Sequence, residues 1–262
     1  VALVAARSHR EALAAAAKVN LRIEALPSVL SIEQAMEACA WITPPVLLER
    51  GDTDGAMAKA AHRLKAQRWI GGQEHFYLEG QIAYAIPEEQ DAMLVHSSTQ
   101  HPGEMQHWIA HALDVPAHRV RVLCRRMGGG FGGKETQSGQ IAVWAAVAAK
   151  RLACPVKMRL DRDDDFKITG KRHPFRVRYE VGFDDEGRLL ALDAELASDC
   201  GFSADLSIPV NERELFHVDN AYYLESLRIP SYRCSTNKQS NTAFRGFGGP
   251  QGMYLIESAI GD

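Results

Sequence analysis

Arg126 to Thr136 reads Arg-Met-Gly-Gly-Gly-Phe-Gly-Gly-Lys-Glu-Thr, and five of the six residues from Gly128 to Gly133 are glycine. A backbone so nearly bare of side chains can enter positive φ and come within hydrogen-bonding distance of a bound group. Such a loop holds a ligand with its main chain. The phosphate-binding pattern Gly-x-x-x-x-Gly-Lys is met by Gly128 to Lys134, but Glu135 stands where the magnesium-binding hydroxyl belongs, and a carboxylate there repels phosphate. The dinucleotide pattern Gly-x-Gly-x-x-Gly is met by Gly128, Gly130 and Gly133. It falls between an expected strand, Arg119 to Cys124, and an expected helix, Gln137 to Leu152, and the next strand, Val156 to Leu160, is followed by Asp161. Taken alone, this segment supports a nicotinamide-binding domain.

A second glycine loop, Asn241-Thr-Ala-Phe-Arg-Gly-Phe-Gly-Gly-Pro250, carries two aromatics and an arginine. Several polar residues elsewhere have both an ordinary and a chemical reading. Gln100 closes a strand before His101-Pro102, where an amide serves as a turn former or as a ligand contact. Glu135 precedes the expected helix, where the dipole favours a carboxylate. Arg213, within Asn211-Glu-Arg-Glu-Leu-Phe-His217, reads by itself as a surface charge. Phe244 and Phe247 read as packing residues, and Asp163-Asp-Asp165 as a solvated turn in preference to a magnesium cluster. His75, His173 and His217 lack ligand spacing, so none is assigned to a metal.

With Gly71-Gly-Gln-Glu-His-Phe-Tyr-Leu-Glu79, Ser98-Thr-Gln100, Gly170-Lys-Arg-His-Pro-Phe175 and Glu212-Arg213, the two loops resemble the large molybdenum-binding part of the xanthine dehydrogenase and aldehyde oxidase family. The resemblance runs along essentially the whole chain and argues against the dinucleotide reading. It implies a molybdopterin cofactor carrying molybdenum, with Gln100 beside an oxo ligand, the amides of Gly130, Phe131 and Gly132 against the metal's oxygen ligands, and Arg245 bonded to the pterin. An arginine suits that task because its planar fork donates several hydrogen bonds to a flat heterocycle. It further implies that Glu135 and Arg213 face a purine and that Phe247 stacks on it. Aldehyde oxidases generally lack this acid and base, so their presence favours hypoxanthine and xanthine as substrates, with water as the oxygen source. An aldehyde oxidase-like hydroxylase and a non-catalytic structural part of a complex are the alternatives. In the family, 2Fe-2S clusters, FAD and NAD belong to other parts, and the base glutamate is expected beyond Asp262. The fragment alone is therefore expected to be inactive, as an interior piece of a longer polypeptide whose remainder and iron–sulfur and flavin parts are its partners.

Composition is compatible. The 262 residues are 46% hydrophobic and 24% charged, with a net charge of −3 of mixed sign. That balance gives no reason to expect a nucleic-acid or membrane partner. Five dispersed cysteines without a Cys-x-x-Cys pair imply reduced thiols in a cytoplasmic setting.

The elements that must position these residues are of two kinds. Strand-like alternation marks Ala66 to Ile70, Gln81 to Ile86, Ala92 to Ser97, Arg176 to Phe183, Leu189 to Ser198 and Ser226 to Tyr232, with a hairpin turn at Asp184 to Gly187. Helices are expected at Gly103 to Leu113, Gln137 to Leu152 and the amphipathic C-terminal stretch from Gly252. The first fifty residues read as strand Val1 to Ala5, a Ser8-capped helix to about Lys18, strand Leu21 to Ala25 and a Ser31-capped helix to about Cys39. The expectation is α+β, with mixed twisted sheets and a few buried helices. Residues 1–52 would be the tail of a smaller α/β domain and 53–262 the start of the cofactor-binding domain, with Thr43 to Pro45 and Arg50 to Gly55 supplying the breaks expected of a linker.

Overall fold

The computed structural model describes residues 2–262, which divide into two compact units. The first comprises residues 2–27, 77–130 and 134–165; the second comprises 28–76, 131–133 and 166–262.

The first unit is built on a four-stranded sheet in the order β5-β4-β3-β6, where β3 is Ile82–Pro87, β4 Met93–Ser97, β5 Val120–Leu123 and β6 Val156–Arg159. Ala83, Ala85, Met93 and Val95 alternate inward along β3 and β4. Two helices pack into the same core: α4, Pro102–Leu113, through Met105, Ile109 and Leu113, and α5, Ser138–Leu152, through Ile141, Ala142, Ala145, Ala146 and Ala149. The alanine face lets α5 lie close, and Gly139 does the same at the helix crossing, where any β-carbon would overlap the Trp108 ring. The dinucleotide reading fails here. A crossover from β5 through α5 should return beside β5, yet β6 pairs with β3, antiparallel.

The second unit holds a five-stranded sheet, β1-β9-β8-β7-β2, with β1 Val46–Arg50, β2 His62–Ile70, β7 Phe175–Phe183, β8 Leu189–Gly201 and β9 Ser226–Ser235. All its pairs are antiparallel except β8 with β9. The β7/β8 hairpin turns as expected: the Asp184 carboxylate accepts the Glu186 and Arg188 amides, and Gly187 takes φ +79. One face of this sheet buries Val177, Leu192, Leu196, Leu227 and Ile229 against α7, Ser207–Leu215, and α8, Gly249–Gly261. A smaller cluster joins Ile32 and Ala35 of α2, Ile32–Glu37, to Ala197 and Cys234.

All the strands expected between Ala66 and Tyr232 are present, and the α+β expectation holds: two open mixed sheets with their own helices. Four readings are corrected. Leu21 to Ala25 forms no strand; Leu21 and Ile23 are exposed and lie in no sheet. Residues 2–5 are likewise irregular, while Val1 lies outside the described residues. The stretch read as a linker holds β1 and the start of α3, Thr53–Lys59, capped by the Asp52 carboxylate on the Gly55 amide. Asp163 to Asp165 form the first turn of α6, Arg162–Ile168, and Asp165 is buried, accepting the Tyr77 hydroxyl at 2.6 Å. Arg213 sits on α7, a helix the sequence reading missed. The remaining helix, α1, His9–Ala16, begins as expected with Ser8 accepting the Glu11 amide. No helix among the described residues is long and apolar enough to cross a membrane.

Candidate functional site

Both glycine loops have strict backbone requirements. In the first unit, β4 runs directly into Ser98-Thr99-Gln100. The Gln100 amide donates to the Lys134 carbonyl at 2.8 Å, and the Lys134 amide donates back to Gln100 Oε1 at 3.2 Å. That second bond commits Oε1 as the acceptor and makes Nε2 the donor end of the side chain. Thr99 and Ser138 hydroxyls also donate to the Lys134 carbonyl. Gly130 lies against the same amide: a β-carbon there would be 2.5 Å from Gln100 Oε1. Lys134 itself is fully buried and donates to the Glu79 carbonyl at 2.6 Å and to Ser98 Oγ at 2.8 Å. A phosphate-binding lysine must present its ammonium to a ligand, and this one is spent inside the fold. Glu135 is half-buried, two residues before the N-cap Gln137 and outside the first turn of α5.

In the second unit the two glycine loops meet. Phe131, at φ +55 and 48% exposed, accepts the Arg245 amide on its carbonyl at 2.9 Å. Gly132, at φ +100, leaves only 2.5 Å between a hypothetical β-carbon and the Ala243 carbonyl oxygen. Beneath them His75 hydrogen-bonds that carbonyl at 2.6 Å and lies 4.8 Å from the Phe244 ring; burial pushes its imidazole pKa down. Arg172 also packs on this ring. Its guanidinium stands 3.9 Å over the Phe244 ring, donating to Gln73 Oε1 at 3.1 Å and to the Arg245 carbonyl at 2.8 Å. Phe244 is thus a packing residue, as expected, in contact with both His75 and Arg172.

Gly246, Phe247 and Gly248 are consecutive residues at φ +95, +49 and +87. An aromatic residue in this region costs of order 1–3 kcal/mol and persists only where its surroundings impose it, a pattern concentrated at ligand clamps. Phe131 is the other aromatic in the same conformation within a glycine loop. After Phe247 the loop abuts α7: a β-carbon on Gly249 would be 3.9 Å from Arg213 Nε. The Arg213 side chain is exposed on that helix, and the His217 ring hydrogen-bonds its carbonyl at 2.8 Å.

Each unit therefore gathers part of the expected set: Gln100, Gly130 and Glu135 in the first, Phe131, Gly132, Arg213, Arg245 and Phe247 in the second. His75, Glu79, Lys134 and Arg172 carry support roles that sequence reasoning did not assign, although all four lie in motifs it singled out. A flat, oxygen-rich cofactor requires donors and bare backbone. Gln100 and Gly130 in the first unit, and Gly132 and the exposed Arg245 in the second, are the residues whose chemistry fits that requirement.

Mixed sheets carrying two glycine loops with close backbone approaches suit a cofactor-binding domain. Residues 41–262 match the family described as molybdopterin cofactor-binding domain, and the chain belongs to that family. It is 44% identical over 264 residues to the xanthine dehydrogenase of Drosophila pseudoobscura pseudoobscura, covering 100% of this chain and 20% of that protein. It is 43% identical over 265 residues to a nicotinate hydroxylase of Emericella nidulans, covering 99% and 20%. The chain thus spans about a fifth of the curated relatives it matches. The fold superposes on aldehyde oxidoreductase from Desulfovibrio gigas with a TM-score of 0.86 at 24% identity, over 98% of this chain and 30% of that one.

Proposed function

We propose that the protein to which this chain belongs oxidises hypoxanthine and xanthine, with water as the oxygen source, in purine catabolism in the cytoplasm. The observation that carries this reading is the joint presence of Glu135 and Arg213 in a chain 44% identical to a xanthine dehydrogenase along its whole length. The bound molybdenum centre would supply the oxidation and the oxygen transfer. Gln100, Gly130, Phe131 and Gly132 would hold its oxygen ligands by hydrogen bonds, and Arg245 the pterin.

The chain's own contribution to the reaction is orientation and charge. Oxidation at a purine carbon moves negative charge onto ring nitrogens and the carbonyl oxygen, so a fixed guanidinium at Arg213 favours the transition state over the ground state. Glu135 would fix the ring edge by accepting a hydrogen bond, or by donating one when protonated. Phe247 would stack on the ring, a contact worth about 0.5–1.5 kcal/mol. Other parts of the protein would supply the catalytic base, iron–sulfur clusters, FAD and NAD, so this chain alone would be inactive. Residues 1–52 would close a preceding smaller domain and 53–262 open the cofactor-binding one.

The 43% identity to a nicotinate hydroxylase favours one second reading, a pyridine carboxylate as substrate. Arg213 would then pair with the carboxylate, and an ionised Glu135 would oppose it. The test is turnover of xanthine, nicotinate and an aromatic aldehyde by the intact molybdenum-loaded protein and its Glu135→Ala and Arg213→Met variants. The purine reading expects xanthine preferred, with each variant losing about two to three orders of magnitude on it. Preference for nicotinate or aldehyde, or xanthine turnover indifferent to both substitutions, overturns it.

A further inference from the structure

The glycine stretch from Gly128 to Gly133 has almost no side chains with which to hold itself in place, yet the structure ties both its ends to one residue. At the start, Gly128 donates its amide to Glu79 Oε2 at 2.8 Å and accepts the Glu79 amide on its carbonyl at 3.0 Å. The approach is close: a β-carbon on Gly128 would lie 2.5 Å from Glu79 Cβ. At the end, Lys134 places its ammonium on the Glu79 carbonyl and on Ser98 Oγ, 3.6 Å from Glu79 Oε2. Ser98 in turn donates to Glu79 Oε2 at 2.7 Å.

The electrostatics of this group are mutual. Burial pushes the Lys134 ammonium pKa down, and the Glu79 carboxylate is the first influence opposing it. Burial pushes Glu79 up, but the Gly128 amide, the Ser98 hydroxyl and the Lys134 charge outweigh it and hold the carboxylate below its ordinary range. The Tyr77 ring, 4.5 Å from the ammonium, completes the enclosure. A buried cation kept without its acid is strongly disfavoured, so neither charge is independent of the other.

We infer that Glu79 and Lys134 are positioning residues: a clamp that fixes the first glycine loop at both ends and, through the Lys134 amide, sets which end of the Gln100 side chain is the donor. The consequence for chemistry rests on the proposed function, in which Gln100 must donate to an oxygen ligand. Because the Lys134 main chain engages Gln100 on both sides, through its amide and its carbonyl, movement of Lys134 is movement of Gln100.

The experiment uses the intact molybdenum-loaded protein with Glu79→Gln and, as a gentler change that keeps both charges, Ser98→Ala. Amide hydrogen exchange is followed by mass spectrometry in peptides spanning residues 126–136, with kcat and KM measured per bound molybdenum. Exchange across the loop should rise about tenfold or more in Glu79→Gln and by less in Ser98→Ala, corresponding to loss of one or two hydrogen bonds. kcat should fall by a similar factor with KM within about twofold, because donor orientation acts in the transition state. Exchange unchanged in both variants overturns the clamp. Faster exchange with unchanged kcat supports the clamp and removes Gln100 from the proposed site. Should Glu79→Gln not fold, Ser98→Ala alone decides, since unchanged exchange there denies that the network restrains the loop.

Discussion

Gly248 lies directly on the main chain of Val210, with no room for a side chain: a β-carbon there would overlap the Val210 carbonyl oxygen and stand 2.9 Å from the Glu214 amide nitrogen. This contact seats the second glycine loop on α7, the helix that carries Arg213. Gly248 also has φ +87, so Gly248→Ala combines backbone strain with a clash against main chain that cannot rotate away. Urea denaturation should show a loss of more than about 3 kcal/mol, the sum of left-handed strain and overpacking. Gly187→Ala is the control. It has φ +79 in the β7/β8 turn but nothing within 4 Å, and should cost only about 1–2 kcal/mol. Equal losses at the two positions would deny the seating contact.

Glu214 faces inward from the same helix, fully buried, with neither carboxylate oxygen hydrogen-bonded to protein. Burial raises its pKa well above the ordinary 4.5, and the Arg233 charge pulls down without prevailing. The folded state therefore holds a proton at pH values where the unfolded chain has released it. In that window folding takes up a proton, so stability falls as pH rises from the unfolded pKa towards the folded one and levels off above it. Glu214→Gln cannot lose a proton and escapes this decline. The melting temperature of the variant, relative to the parent sequence, should rise between about pH 5 and about pH 8. A difference that stays constant across that range would mean that Glu214 is not titrating against the fold.

Arg172 makes three contacts that a lysine cannot make together: the face of Phe244, Gln73 Oε1 and the Arg245 carbonyl. Arg172→Lys keeps the charge but loses the planar fork, so the loop around Arg245 should loosen. The expected cost is about 1.5–3 kcal/mol by chemical denaturation, the range for hydrogen bonds to charged groups. Faster hydrogen exchange should be confined to residues 241–248. A variant as stable as the parent, with an equally protected loop, would assign Arg172 to the surface.

Legibility in the sequence followed how local each requirement is. β7 and β8 were readable because each residue reports its own face: Val177, Tyr179 and Val181 are buried on one strand and Leu192, Ala194 and Leu196 on its neighbour. The glycine loops were readable because positive φ and close backbone approach are written into single residues. β1 was not, since its partner β9 lies at the far end of the chain and Pro44-Pro45 reads as a break. The alternation at Leu21, Ile23 and Ala25 misled for the converse reason, a strand pattern without a strand to pair with. α7 was hidden by Pro209 in its first turn, where proline is tolerated, and by Asn211 and Glu214 on its buried face, which interrupt the apolar stripe. The supports of the site, Arg172 on Phe244 and Lys134 on Glu79, join distant segments by side-chain geometry that no local pattern encodes.

Gly130 isolates the geometric requirement on Gln100 from the charges around it. A β-carbon at this position would crowd Oε1, Cδ and Cγ of Gln100 at 2.5, 2.8 and 2.9 Å, so the whole side chain must shift, not merely its tip. The backbone of Gly130 is not in the positive-φ region, and Gly130→Ala therefore adds steric pressure without backbone strain. The Gln100 amide would leave the Lys134 N–H, which is otherwise accepted at 3.2 Å. Overpacking of this kind costs about 1–3 kcal/mol, so the protein should remain folded. In the intact protein, molybdenum should still be bound in normal amount, while exchange of the Lys134 amide accelerates and kcat on the preferred substrate falls about tenfold or more. Gly103→Ala, where a β-carbon meets nothing within 4 Å, should leave all three readouts unchanged. If Gly130→Ala behaves like Gly103→Ala, the close packing of Gly130 on Gln100 has no bearing on the site.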